Sequence, residues 1–292
     1  MTRILTLIAN PLTDDHVRAA EDAIGHVLHI DWLGPNEACD LHFADDRPGA
    51  ALAARDRLAT APVDLFAQPD GANRRKRLLI ADMDSTIITV ECIDEMADML
   101  GLKPEVSAIT ERAMRGELDF AEALRARAAM LAGLDQTTLD RVYDERIRLT
   151  AGARTLVQTM RANGAYTALV SGGFRTFTSK VREAAGFNVD LANRLLFDGE
   201  RLNGQVAEPI LGADAKLAAL RQLTEEQDLD ASATLAVGDG ANDLPMVKAA
   251  GLGVAFHAKP LVAEAAAARI DHGNLTALLY LQGYRRDEFV FD

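Results

Sequence analysis

Asp82-Met83-Asp84-Ser85-Thr86 sets two carboxylates one residue apart, with two hydroxyl residues behind them, directly after the apolar run Leu78-Leu79-Ile80-Ala81. The apolar run reads as a buried strand, so the carboxylates leave a sheet at the edge where α/β folds place ligands. The spacing suits a divalent cation held by both carboxylates, with Asp82 also free to attack phosphorus. Mg²⁺ takes oxygen ligands and binds through one or two carboxylates plus phosphate oxygens. In that chemistry Asp82 forms an aspartyl-phosphate and divides a hydrolysis into two easier steps. Asp84 would protonate the leaving alcohol and later take a proton from the attacking water, which requires proximity and a suitable local pKa. In an extended stretch its side chain points away from that of Asp82.

Three more sites lie at or beyond strand-like runs. Ser171-Gly172-Gly173 follows Leu169-Val170, and a hydroxyl with unhindered backbone amides can cradle phosphate oxygens. Lys216 opens a helical stretch after Gly212-Ala213-Asp214-Ala215, where its ammonium would neutralise phosphate and the nucleophilic carboxylate. Gly238-Asp239-Gly240-Ala241-Asn242-Asp243 follows Leu235-Ala236-Val237. There Asp239 would ligate the metal, Asp243 would hold metal-bound water or orient Lys216, and Asn242 would bond to the phosphate. Each motif alone also occurs as a charged loop, an ordinary turn or a solvated lysine; their joint presence argues for one phosphate chemistry. The last loop lacks the ladder of oxygen residues and terminal Glu of an EF-hand.

The elements that must position these groups follow from periodicity. From Leu78 onward, strand-like runs at 167–170, 234–237 and 253–256 alternate with helical stretches at 154–163, 176–185, 216–224 and 244–250. That alternation predicts a Rossmann-like, mostly parallel sheet with helices on both faces. A helical insertion from Ile93 to Thr150 is too long for an ordinary connection and reads as a small cap over the site. Residues 1–72 read as a βαββαβ unit, the ferredoxin-like order, serving regulation or dimerisation. The phosphatase domain then spans 73–292, with the cap at about 91–150. Gln68 to Asn73 reads as a linker, and Arg74-Arg75-Lys76-Arg77 as a solvated junction. The tail from Gly283 to Val290 carries no catalytic pattern and reads as a packed or frayed end.

Composition narrows the partners. The 292 residues are 49% hydrophobic and 26% charged, enough for a sizeable core in a soluble chain. Net charge is −13, from 31 basic and 44 acidic residues, which disfavours nucleic acid as a general partner. An anionic substrate must therefore meet a local cationic site. Cys39 and Cys92 have no metal-ligand spacing. No apolar run approaches the roughly 18 residues of a membrane span, and no leader pattern opens the sequence. The expectation is a cytoplasmic protein without nucleic-acid or membrane partners.

The Asp-x-Asp-Ser-Thr start, Val-Ser-Gly-Gly-Phe and Val-Gly-Asp-Gly-Ala-Asn-Asp together resemble the phosphoserine phosphatase branch of the haloacid dehalogenase-like superfamily. The resemblance runs from about residue 75 onward and includes Ala192-Asn193-Arg194-Leu195 and Ala255-Phe256-His257-Ala258-Lys259-Pro260. Met83 stands where many relatives carry phenylalanine, and this position should face the core. The resemblance implies a Mg²⁺-dependent hydrolysis of O-phospho-L-serine to L-serine and phosphate, the last step of serine biosynthesis. It assigns the Asp84 backbone carbonyl, rather than its side chain, to the metal beside Asp82, Asp239 and Asp243. It also suggests Glu91 for the substrate ammonium and Arg127 for its carboxylate, with Met114 and Phe120 shielding the pocket. Carboxylate meets ammonium, and a guanidinium fork grips a carboxylate by two hydrogen bonds; Arg125 competes with Arg127 for that task. The first 72 residues look like the ACT-type amino-acid-binding modules, which makes L-serine a candidate feedback ligand and a homodimer a candidate assembly. The rival readings are a phosphatase or phosphotransferase acting on another small ester such as phosphohomoserine, and a catalytically silent amino-acid sensor.

Overall fold

The computed structural model describes residues 2–44, 49–71, 73–114 and 117–291. Strands β1 (Thr2–Ile8), β2 (Val27–Gly34), β3 (Ala38–Ala44) and β4 (Asp64–Pro69) pair antiparallel in the order β2-β3-β1-β4, the arrangement of a ferredoxin-like sheet. Alternation along the strands divides their side chains between two faces. Leu5, Leu7, Cys39, Leu41 and Phe43 pack with Val17, Ala20 and Ile24 of α1 (Asp14–Ile24) and with Ala54 of α2 (Ala50–Arg57). Thr13 caps α1 by accepting from the His16 amide at 3.3 Å, satisfying one of the helix's open N–H groups.

The other face of this sheet is not left to water. Ile8, Leu33 and Ala38 join the core of the following structure, and Asp40 is buried against Arg74 at 2.9 Å and Thr6 at 2.7 Å. Arg74 also donates to the carbonyls of Tyr280 and Leu281, and Lys76 donates to the carbonyls of Asn73 and Ser232. The basic run is only half a solvated junction: Arg75 and Arg77 are exposed, whereas Arg74 and Lys76 are largely buried, because carbonyls and a carboxylate satisfy them. The tail is packed rather than frayed. Arg285 pairs with Asp31 at 2.7 Å, and Tyr280 donates to Glu37 at 2.6 Å.

Six strands form the second sheet: β5 (Leu78–Ala81), β6 (Tyr166–Phe174), β7 (Val189–Asn193), β10 (Thr234–Gly238), β11 (Leu252–Phe256) and β12 (Ala268–Ile270). All are parallel, in the order β12-β11-β10-β5-β6-β7. Leu79, Leu235 and Val237 face α7 (Ala153–Ala162), α8 (Arg175–Ala185) and α12 (Ala277–Leu281). Ile80, Ala168 and Ala236 face α9 (Ala213–Glu226) and α10 (Leu244–Ala249), and a short α11 (Pro260–Ala265) follows β11. Burial on both faces explains why β5 is apolar at every position. The chain runs outward from β5 in one direction and from β10 in the other, so the crevice at their carboxyl ends is a switch point suited to ligands.

Between β5 and α7 the described residues form the α-helices α3 (Cys92–Met99), α4 (Lys103–Met114), α5 (Phe120–Met130) and α6 (Gln136–Arg146). They hang from a two-stranded neck, in which Thr89 N donates to the Arg148 carbonyl at 3.1 Å and Thr150 N to the Ile87 carbonyl at 2.9 Å. The hairpin of β8 (Leu195–Asp198) and β9 (Arg201–Val206), absent from the sequence reading, supports their far side through Gly133 N to Leu202 O at 2.8 Å. Among the described residues no helix is long and apolar enough to cross a membrane.

Candidate active site

Asp82 leaves β5 with its amide bonded to the Val237 carbonyl at 3.0 Å, so the ends of β5 and β10 are stitched together where the motifs emerge. Its carboxylate meets Lys216 Nζ at 2.6 Å, and the same ammonium meets Asp243 at 2.6 Å. Lys216 comes from the first turn of α9 and is only 2% exposed. Burial alone would strip its proton, yet the two carboxylates outweigh that cost and push its pKa up. Burial and the nearby Asp243 raise the pKa of Asp82, against the pull of Lys216. One lysine thus serves two buried carboxylates, and the cluster has room for further positive charge.

That charge has a place. Oxygens of Asp82, Asp239 and Asp243 lie within 4.8 Å of one another, an all-oxygen donor set that fits a hard divalent cation. Thr86 donates to Asp239 at 3.2 Å and Gly240 N donates to Asp243 at 3.0 Å, fixing both acids. Position 238 must be glycine because a Cβ there would fall 2.4 Å from the Asp243 carboxyl carbon. Burial, then Asp243, raises Asp239 to about 6.

Asp84 points elsewhere. The backbone turns sharply through Ser85, whose φ of 55° lies in the left-handed region, and Asp84 accepts from the Cys92 amide at 2.9 Å and from Ser171 Oγ at 3.2 Å. Burial, then Glu91, lifts its pKa to about 6, a value that lets one group hold and release a proton near neutrality. Ser171 Oγ in turn accepts from Gly173 N at 2.9 Å. Asn193, noted in the sequence without a role, ties the Gly172 carbonyl to Leu211 by bonds of 2.8 and 3.1 Å.

The carboxylate cluster gives a direct expectation. Asp84 and Asp239 are raised from 3.8 to about 6. Between those values the folded chain holds protons that the unfolded chain has released. Stability falls as pH rises through that window, and the cost is complete at pH 7. Asp239→Asn should make the chelator-treated protein more stable at pH 7 by about 3 kcal/mol. It should also remove the rise in melting temperature that a divalent cation gives the unaltered chain. Thermal melts with and without chelator check both; a variant destabilised under chelation would show that Asp239 is not held at a cost.

A family model described as haloacid dehalogenase-like hydrolase matches residues 79–248, the stretch that carries Asp82, Asp84, Ser171, Lys216, Asp239 and Asp243. The chain belongs to the haloacid dehalogenase-like hydrolases. This hydrolase is 44% identical to the phosphoserine phosphatase of Streptomyces coelicolor, over 98% of its own length and 71% of that protein's. It is 42% identical to that of Archaeoglobus fulgidus over 74% of its length, and spans 63% of that relative. A crystal structure of a HAD family hydrolase from Salmonella enterica superposes with a TM-score of 0.87 at 30% identity, covering 96% of this chain and 98% of the other.

The hydrolase's helical insertion closes a cavity of about 710 Å³ over the acids. Glu91, Phe120, Arg127, Ser171, Gly172 and Asn242 all line it. Glu91 accepts from Ser85 Oγ at 2.7 Å. The Phe120 ring lies over the phosphate-type loop, so close that a Cβ on Gly172 or Gly212 would approach it to 3.0 and 3.1 Å. Arg127 is largely buried and held by the Ala123 carbonyl at 3.3 Å, and burial lowers its pKa. Arg125 faces solvent and pairs with Glu208 at 2.7 Å, so of the two arginines only Arg127 enters the cavity. The Met114 side chain lies outside the described residues. Lys259, Asp94 and Thr110 also line the cavity, and the sequence reading gave them no role. For Lys259 the available signal was its position just beyond β11, on the same sheet edge as the motifs.

Proposed function

We propose that this hydrolase converts O-phospho-L-serine and water to L-serine and inorganic phosphate through an aspartyl-phosphate on Asp82. The observation that carries the reading is the pairing of Glu91 and Arg127 in one cavity with Asp82, whose carboxylate the buried Lys216 meets at 2.6 Å. The first two complement an ammonium and a carboxylate; the last two complement a phosphate. The names of the relatives support the same substrate.

In the first step the Asp82 carboxylate attacks phosphorus, the ester P–O bond breaks, and Asp84 gives its proton to the departing serine oxygen. Lys216, Ser171 and the amides of Gly172 and Gly173 hold the phosphoryl oxygens. In the second step water attacks phosphorus, the acyl-phosphate P–O bond breaks, and Asp84 takes back a proton. The proposed cofactor is Mg²⁺, which Asp82, Asp239 and the Asp84 carbonyl would hold directly and Asp243 through metal-bound water, and it would supply charge neutralisation for the phosphoryl group. Asn242 would bond to the phosphate. Phe120, with the cap at about 91–150, would exclude bulk water, and Met114 is assigned to the same shield. The proposal also takes residues 1–72 as a regulatory or dimerisation domain, 73–292 as the phosphatase domain, and the cytoplasm as the setting. Gel filtration and L-serine titration check the dimer and the feedback role.

Arg127→Ala tests the substrate assignment. It should raise KM for phosphoserine by about 10- to 100-fold, the worth of a charge-assisted bidentate contact, and leave phosphoethanolamine, which lacks the carboxylate, nearly unaffected. Equal losses on both esters would remove Arg127 from recognition, and better turnover of another ester in a substrate panel would replace phosphoserine.

A further inference from the structure

The active-site cavity is lined by the carboxylates of Asp82, Asp84, Glu91, Asp94 and Asp239 and, among the described residues, by two cationic side chains, Arg127 and Lys259. We propose that Lys259 is a phosphate-binding residue, the outermost cation of the site, which takes up the phosphate dianion of the substrate at the cavity mouth and holds that of the product before release. The inference deepens the phosphatase reading and rests on it for the substrate. It concerns the phosphate end alone, however, and is testable without turning over any ester.

The other cations are committed elsewhere. Lys216 is buried between Asp82 and Asp243, 2.6 Å from each. Arg127 is held in the cap by the Ala123 carbonyl, at the end assigned to the substrate carboxylate. Arg125 is engaged by Glu208. Lys259 differs: it is exposed, and its ammonium has no hydrogen-bond or ion-pair partner among the described residues. A dianion approaching a row of acids, in a chain of net charge −13, is repelled by the global field and needs a local cation where it enters.

The loop keeps Lys259 at that place. β11 ends at Phe256, beside β10, whose end delivers Asp239. His257 takes a left-handed φ of 44°; its amide donates to the Ile270 carbonyl at 2.8 Å and its Nε2 to the Gly273 carbonyl at 2.8 Å. Two residues on, the Lys259 amide donates to the Asp239 carbonyl at 3.1 Å, and Pro260 at the start of α11 restricts the backbone beyond it. The root of Lys259 is therefore fixed against the Asp239 strand end, while its flexible four-carbon stem stays free to swing. Its charge acts on that acid: burial and Asp243 raise Asp239, and Lys259 pulls it down. A fixed root and a free head suit a group that must meet a phosphate arriving from water and let it go again. The clamped Lys216 suits the phosphoryl group once it is in place.

The test titrates inorganic phosphate by calorimetry into the full chain with Mg²⁺, unaltered and as Lys259→Gln and Lys259→Arg. Glutamine should weaken phosphate binding by about tenfold, the worth of one exposed charge-assisted contact, and should flatten its dependence on ionic strength. Arginine should keep most of the affinity. With esters, Lys259→Gln should raise KM for phosphoserine and phosphoethanolamine by a similar factor, with kcat changed less. That pattern separates it from Arg127→Ala, whose loss is confined to the ester with a carboxylate. The rise in melting temperature given by Mg²⁺ without phosphate should persist in both Lys259 variants. Absence of phosphate binding by the unaltered chain, affinity unchanged in Lys259→Gln, equal weakening by glutamine and arginine, or a KM effect on phosphoserine alone would each overturn the proposal. Loss of the Mg²⁺-dependent rise would also overturn it, by placing Lys259 in metal loading. Phosphate binding that depends on Lys259 in a chain that hydrolyses no ester would leave this site standing while the phosphatase reading falls.

Discussion

Asp82→Asn should lower phosphate release by about 10⁴-fold or more, the scale seen when a catalytic nucleophile is removed. The amide is nearly isosteric and can still accept from Met83 N, which Asp82 does at 2.8 Å, so the fold should persist. What disappears is the negative oxygen that attacks phosphorus. Rapid quenching after mixing with radiolabelled ester separates the two steps. Asp84→Asn, which keeps the nucleophile but loses the proton carrier, should impair turnover while leaving Asp82 able to carry label. Asp82→Asn should carry none. Label on the Asp82→Asn protein would reassign the nucleophile, and turnover close to that of the unaltered chain would exclude the aspartyl-phosphate route.

Lys216→Met should have the largest combined effect on stability and rate. The lysine is 2% exposed and lies 2.6 Å from each of two buried carboxylates. Methionine matches its length but removes the charge, leaving the two acids in a buried site without their cation. Breaking such an arrangement costs about 3–5 kcal/mol, which should appear as a lower denaturation midpoint in chelator. A divalent cation should restore part of that loss, since it brings positive charge to the same oxygens. It should not restore the rate, because loss of a positioned charge on the phosphoryl group costs about 10²–10³ in kcat. A variant as stable as the unaltered chain under chelation would show that Lys216 does not hold the cluster together.

Much of this site was legible because its chemistry sits at strand ends. Leu78–Ala81, Thr234–Gly238 and Leu252–Phe256 are buried on both faces, so their sequences are continuous apolar runs, and the polar residues that follow stand out. The hairpin Leu195–Val206 and the three-residue β12 were not legible: one mixes exposed and buried positions and the other is too short to show a period. Arg125 and Arg127 could not be told apart for a geometric reason. Two residues along a helix turn the side chain by about 200°, and only the docking of α5 reveals which side meets the cavity. Arg74 reads as solvated because its partners Tyr280 and Leu281 lie more than 200 residues later. Lys259 is likewise a loop lysine until the sheet sets it beside Asp239. Local pattern carries strands and motifs well; it carries no information about partners that only tertiary folding supplies.

The clasp between the first sheet and the tail has a consequence for how the protein is made. Asp31 and Arg285 are 254 positions apart, and Glu37 and Tyr280 are 243 apart. During synthesis the first sheet can form its helix-covered face early, since Leu5, Leu41 and Val17 are near neighbours in sequence. Its other face, with Asp40, Glu37 and Asp31, stays open until the 280s leave the ribosome. At roughly 5–20 residues per second, that wait lasts on the order of ten seconds or more. For that interval the nascent chain displays an acidic, half-finished surface, and a chain terminated before residue 280 never covers it. The contacts that join the two sheets are thus among the last the chain can make as it emerges.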